Sequence, residues 1–281
     1  MLLDVAIGDA YGAGFEFSPA DIVEKHNDLT AYRAHGLGVE PGKYTDDTQM
    51  SLAISQLLID GKEWTSLNIA DSFVQCFKRD VRPGYATGFG QFLRSINSGT
   101  EFLQKIKPES TRNGACMRSA PIDVLADISQ IMEYSLVQAK TTHNSKSGIL
   151  SSQAVAICAH YFFYNLGSKS DLCEFVNQYT KTQWDNHWQQ PVPCSATETV
   201  NAIITALETS SCLKSLLIQS VSFSGDVDTV AAVALGIASQ SGEYEKNLPG
   251  FLYDDLENGE FGRDYLLKIG EKLMSLCQLG T

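Results

Sequence analysis

The sequence predicts an all-α protein folded as a single compact domain over residues 1–281, and three observations carry that expectation. Nearly every apolar segment recurs at helical spacing. No stretch alternates apolar and polar residues over strand length with turn residues at both ends. No Pro/Gly/Ser-rich linker divides the chain into two compositions, and no repeat of roughly 20–50 residues is visible. With 43% hydrophobic residues in 281 the chain can bury a sizeable core, which excludes disorder.

Ser18-Pro19 followed by ADIVEKHN reads as a cap with proline at the first helical position. From Asp46, DDTQMSLAISQLLIDG places Met50, Ile54, Leu57 and Leu58 on one face and stops at Gly61. Thr65 opens a helix with Leu67, Ala70, Phe73, Val74 and Phe77 in register. The segment from Ser147 repeats the pattern with Leu150, Ala154, Ile157, Cys158, Tyr161 and Phe162. TETVNAIITALE does so with Val200, Ile203, Ile204 and Leu207. DVDTVAAVALGIASQ is apolar nearly all round, the mark of a central buried helix. A last amphipathic helix is expected from Phe261 to near Leu276, with loops at 36–42, 82–90 and 108–114.

Composition narrows the partners. A net charge of −12 argues against an electrostatic nucleic-acid surface, although a metal can supply positive charge to an anionic ligand. The uncharged run between Lys146 and Lys169 is long enough for a membrane span, but Ser151, Ser152, Gln153, His160 and Asn165 mark it as a buried helix. Seven scattered cysteines, none in C-x-x-C spacing, read as reduced thiols of a cytoplasmic protein. The first residues carry Asp4 and Asp9 without Lys or Arg, so no secretory leader is expected. No exposed heptad stripe demands assembly, and a monomer is the expectation.

Two clusters carry chemistry: Tyr44-Thr45-Asp46-Asp47-Thr48 and Ser224-Gly225-Asp226-Val227-Asp228-Thr229. Each brings two carboxylates and a threonine hydroxyl to a predicted helix start. Such hard oxygen donors suit Mg²⁺, Mn²⁺ or Ca²⁺, and without adjacent Cys or His they do not suit zinc. Either cluster alone reads equally well as helix capping. Two matched clusters favour a pair of divalent cations, because Asp228 and Thr229 lead into the most apolar helix, where unneutralised carboxylates are costly.

These clusters extend into an ordered set of motifs: Gly8-Asp9-Ala10 with Phe15-Glu16, then 44–48, Asn113-Gly114-Ala115 with Met117-Arg118 and Ala120-Pro121, Thr142-His143, and Gly225-Asp226-x-Asp-Thr. In this order, over residues 8–237, the chain resembles the ADP-ribosylglycohydrolases. The resemblance implies an all-α fold, a binuclear magnesium centre (manganese a substitute), and hydrolysis of the bond between ADP-ribose and an acceptor. It implies Thr45, Asp46, Asp47, Asp226, Asp228 and Thr229 as metal ligands. Glu16 matches a glutamate that serves some members as acid/base, and Asp47 is a second catalytic candidate. Asn113 and Gly114 precede a helical turn whose free N–H groups suit a pyrophosphate; Gly88 is a close-approach position and His143 a hydrogen-bonding residue for ribose or phosphate. Arg112 stands where the family commonly has glycine.

Other features read as structural. Arg118 is expected to pair inside the helix bundle, and Trp184, His187 and Trp188 to anchor a loop. Asp254, Asp255, Glu257 and Glu260 are expected on a solvated face. Two other metal-dependent phosphate chemistries fail on sequence. The prenyl-diphosphate pattern needs an Asp where Met50 stands, and none of the five histidines precedes an Asp as a His-Asp phosphohydrolase requires. A non-catalytic ADP-ribose-binding protein is the remaining alternative, and it would typically have lost one of the four aspartates.

Overall fold

The computed structural model describes residues 1–35 and 38–279; part of the expected 36–42 loop therefore lies outside the described residues. Helices follow one another as α1 (Leu2–Ala13), α2 (Ala20–His26), α3 (Asp46–Ile59), α4 (Ser66–Arg79), α5 (Thr87–Ser95), α6 (Gly99–Lys105) and α7 (Ile128–Lys140), then α8 (Lys146–Phe163), α9 (Leu172–Thr180), α10 (Ala196–Thr209), α11 (Leu213–Ser222), α12 (Val227–Ala238), α13 (Phe251–Asp254) and α14 (Arg263–Ser275). Among the described residues the only β pairing is four isolated bridges. The all-α expectation holds.

The helix start legible at Thr65 is where α4 begins; α8 begins at Lys146 behind Ser145, a cap outside the segment expected from Ser147. Thr65 accepts from the Asn68 N–H at 3.3 Å and Ser145 from the Gly148 N–H at 3.1 Å, each satisfying a donor that the first turn leaves free. At α2 the boundary moves by one residue: Pro19 is itself the cap and no side chain bonds the first turn. The segment expected as a loop at 82–90 enters α5 at Thr87. The uncharged run forms α8, and no helix among the described residues is long and apolar enough to cross a membrane. All seven cysteines are free.

Two helices buried on every face form the centre. In α12 every residue is buried, as its continuous apolar sequence predicts, and α1 is buried from Val5 through Ala13. Small residues let them cross closely. A Cβ on Gly8 would lie 2.3 Å from the Ala231 carbonyl oxygen, one on Gly12 would lie 2.5 Å from Asp228 Cα, and one on Gly236 would meet Val5. The Gly8 and Gly12 neighbours are backbone atoms of a packed helix and have nowhere to go. We therefore expect Gly8→Ala to lower stability by about 3 kcal/mol, read as a shifted urea midpoint with unchanged slope.

One expected solvated residue is not solvated. Glu257 is half-buried and ion-paired with the Arg82 guanidinium, which lies 3.8 Å over the Tyr44 ring. Tyr44 N–H also donates to Glu257 Oε1 at 3.3 Å. These contacts clamp the chain entering α3. Asp254, Asp255 and Glu260 are exposed as expected.

Candidate active site

The first turn of α3 is held from outside by a carboxylate in α1. Asp9, fully buried, accepts from Thr45 N (2.9 Å), Thr45 Oγ1 (2.7 Å), Thr48 N (3.0 Å) and Thr48 Oγ1 (2.6 Å). It thus caps a helix to which it does not belong, and it fixes the backbone that carries Asp46 and Asp47. Burial pushes the Asp9 carboxyl up and the four bonds oppose the shift. Its role was not read from sequence, although an acid between Gly8 and Ala10 in the small-residue half of a helix signals a buried partner.

The second arm is a turn ahead of α12. Ser224 and Gly225 both adopt left-handed backbone (φ 63° and 87°), and a Cβ on Gly225 would strike the Val192 carbonyl at 2.1 Å. Val192 N–H donates to Ser224 O at 2.9 Å and Asp226 N–H to Val192 O at 2.8 Å, clipping the turn in place. Phe17 N–H donates to Gly225 O at 2.8 Å, which brings the Glu16 loop alongside. As a result, carboxylate oxygens of Glu16, Asp226 and Asp228 all lie within 4.8 Å of one another.

Asp46 and Asp47 face the same space. Asp46 lies against Gly84, where a Cβ would come 2.1 Å from Asp46 Oδ1, and Asp47 interacts with the Thr229 side chain. Burial, followed by the facing carboxylates, holds Asp46, Asp47 and Asp228 well above the usual carboxylate range. Burial, then Asp226 and Asp9, pushes Glu16 up to about 7. Among the described residues no Lys or Arg is ion-paired with Asp46, Asp47, Asp226 or Asp228. Asp47 Oδ1 is buried with no hydrogen-bond partner at all. A carboxylate-rich cluster with an orphaned carboxylate atom and no ion-paired Lys or Arg fits hard divalent ions, although Cys194, distant in sequence, hydrogen-bonds Asp226 and Arg112 acts on it from the rim. Thr45 sits behind this cluster, its hydroxyl proton given to Asp9 and its lone pairs left over.

The cluster lines one side of a cavity of about 620 Å³. Gly88, Asn113, Gly114, His143 and Thr229 line it too, so every substrate-binding expectation falls on one space. Around Gly88 a Cβ would meet nothing, which leaves room for close approach. Asn113 is turned toward the acids: its Nδ2 donates to Asp226 Oδ2 at 2.6 Å, so it orients a carboxylate directly. Arg118 is fully buried and pairs only with neutral acceptors, Gln138 and Thr142, beneath a cation–π contact with Phe73. Burial lowers its guanidinium to about 9. His143, lowered to about 3 by burial and by Arg118, is neutral at physiological pH. Arg112 and Lys107 contribute positive charge to the rim.

Sequence reasoning missed the apolar wall built by Tyr85, Phe89 and Phe92, whose ring centroids are 6.0 Å apart in successive pairs. Its signal was the i, i+4 and i, i+3 aromatic spacing just after the glycine loop. Trp184 does not reach the cavity; it is buried and donates to Thr180 Oγ1 at 3.0 Å, the expected anchoring role.

Comparison with known proteins points the same way. ADP-ribosyl-[dinitrogen reductase] glycohydrolase of Rhodospirillum rubrum is 29% identical over 241 residues, covering 83% of this chain and 81% of that protein. ADP-ribosylarginine hydrolase Tri1 of Pseudomonas putida (strain GB-1) is 23% identical over 251 residues, 83% of this chain and 67% of that one. ADP-ribosylhydrolase ARH3 of Xenopus tropicalis is 28% identical over 170 residues, a match spanning about half of its length (48%). A solved structure described as an ADP-ribosylglycohydrolase-related protein complex superposes with a TM-score of 0.77 at 20% identity, covering 98% of this chain and 96% of that chain, and so shares the fold. The sequence model of the ADP-ribosylglycohydrolase family matches residues 1–280, and the chain belongs to that family.

Proposed function

We propose that the protein is a magnesium-dependent hydrolase that cleaves the glycosidic bond between ADP-ribose and an acceptor. The observation that carries this reading is the cluster of facing carboxylates, its four aspartates without an ion-paired Lys or Arg among the described residues, opening onto a cavity of nucleotide-sugar size. Thr45, Asp46, Asp47, Asp226, Asp228 and Thr229 would hold two Mg²⁺, with Mn²⁺ as a substitute. Bound there, the ions supply charge that orients ribose hydroxyls and acidifies water.

The chain's own groups do the remainder. Glu16 faces the same space as the acids and moves a proton at the scissile oxygen; a carboxyl near neutrality can both give and take one. Asp47, with one oxygen free of protein donors, is the second carboxylate placed to take a proton. Asn113 keeps Asp226 in one orientation. Gly88 and Gly114 let ligand atoms approach the backbone, and His143 donates to a ligand oxygen. Tyr85, Phe89 and Phe92 offer an apolar face suited to a purine. The relatives' names, which specify ADP-ribosyl hydrolases, support the reading, and the seven free cysteines support a cytoplasmic location.

The test is release of free ADP-ribose from mono-ADP-ribosylated proteins of defined acceptor chemistry, in Mg²⁺ and in EDTA. Release with Mg²⁺ alone is expected. ADP-ribose should also raise the melting temperature more in Mg²⁺ than in EDTA, by ligand linkage. No release from any acceptor, with a melting shift retained, would leave a binding protein in place of a hydrolase.

A further inference from the structure

Along the cavity wall a chain of hydrogen bonds runs from Arg118 through Thr142 to His143. Arg118 Nη2 donates to Thr142 Oγ1 at 2.7 Å, and Thr142 Oγ1 lies 2.6 Å from His143 Nδ1. Arg118 is held in turn: its Nε donates to Gln138 Oε1 at 2.7 Å, while Gln138 Nε2 donates to Ala115 O and Ser119 Oγ, each at 2.9 Å. That double use fixes the orientation of the amide. A guanidinium can only donate, so one lone pair of Thr142 Oγ1 is committed to it. Thr142 is buried, and the acceptor within reach of its hydroxyl proton is His143 Nδ1. Were Nδ1 to carry a proton instead, the threonine proton would be buried without a partner, at a cost above that of an ordinary lost hydrogen bond.

We infer that Arg118 and Thr142 are positioning residues that lock His143 as the neutral tautomer protonated on Nε2, so that the cavity presents a fixed hydrogen-bond donor there. The geometry on the far side of the ring agrees. A Cβ on Gly114 would lie 2.9 Å from His143 Cε1 and 3.1 Å from Nε2, so glycine keeps that edge of the ring open toward the ligand. What meets Nε2 must be an acceptor, a phosphoryl oxygen or a hydroxyl lone pair, and His143 is excluded as the proton-transfer group. Arg118 therefore acts on the ligand through two intermediaries, a role distinct from the pairing within the bundle that its sequence context implies. This inference deepens the ADP-ribosyl reading and rests on it only for the identity of the ligand.

The experiment uses the full chain labelled with nitrogen-15 at histidine, with His143 identified by its loss in His143→Asn. In ligand-free protein at neutral pH, Nδ1 is expected to be pyridine-like and Nε2 pyrrole-like. Thr142→Ser should keep that pattern, while Thr142→Val should move the ring to a tautomer mixture and weaken ADP-ribose binding roughly tenfold. A pyrrole-like Nδ1 in the wild type, or an unchanged pattern in a folded Thr142→Val, overturns the relay. If the wild-type pattern holds but ADP-ribose leaves the Nε2 signal unmoved, the relay stands and the ADP-ribosyl reading fails.

Discussion

Asp228→Asn is expected to abolish hydrolysis and, in the same molecule, to raise the melting temperature of the metal-free protein. The asparagine is isosteric, and its Oδ1 still accepts from Thr229 N–H as Asp228 Oδ1 does at 2.9 Å. What disappears is an ionisable group whose charged form is opposed by burial and by the facing Glu16, Asp226 and Asp47. Replacing it by a neutral group of the same shape should stabilise the chelated protein by about 1–3 kcal/mol. The same change removes an anionic oxygen from the proposed cation cage, and losing several kcal/mol of charge stabilisation corresponds to about 10³-fold or more in turnover. Calorimetry in EDTA and an ADP-ribose release assay check the two halves. A variant that melts earlier than wild type and turns over at the wild-type rate would remove the basis of the assignment.

The pH dependence of stability should invert with metal. Glu16 rises from 4.5 to about 7 on folding, so between those values the folded state binds more protons than the unfolded one. Its contribution to the stability of the chelated protein then falls as pH rises across that window and levels off above it. Glu16 alone accounts for about 3 kcal/mol, and Asp46, Asp47 and Asp228 shift in the same direction. Divalent ions favour the ionised carboxylates, so Mg²⁺ should cancel the fall and displace protons as it binds. Chemical denaturation from about pH 5 to pH 8 in EDTA and in Mg²⁺ reads the first effect. Titration calorimetry in two buffers of different ionisation enthalpy reads the second. A chelated protein that gains stability across this interval would contradict the burial of those carboxylates.

Helices were legible in two ways. Thr65 and the apolar stripe behind it mark α4 because water still touches its other side, whereas α8 and α12 were located by long apolar runs that are buried nearly all round. Helix α1 escaped both: Gly8, Asp9, Ala10 and Gly12 are all buried, so no periodicity distinguishes an inner from an outer face. The two acid clusters were legible as donor sets because there are two of them, each doubling an aspartate with a threonine; either alone could have been no more than a helix cap. That they share one centre was expected from the matched clusters; how the chain brings them together was not legible, because it depends on the close approach of Gly12 to Asp228 and on the Phe17–Gly225 bond. Glu257 was misread for a similar reason; its partner Arg82 lies far away in sequence.

The crossing of α1 over α12 also has a temporal meaning. Roughly two hundred residues separate these helices along the chain, so the carboxylates of the two arms come together only after the late helix has been synthesised and has docked on the first. Such remote pairing adds only modestly to the entropic cost of loop closure but tends to be slow. Until then the face that α1 presents to α12 at Gly8 and Gly12 has no partner, although Asp9 can already meet Thr45 and Thr48 of α3. Magnesium uptake would thus report that the chain has closed on itself.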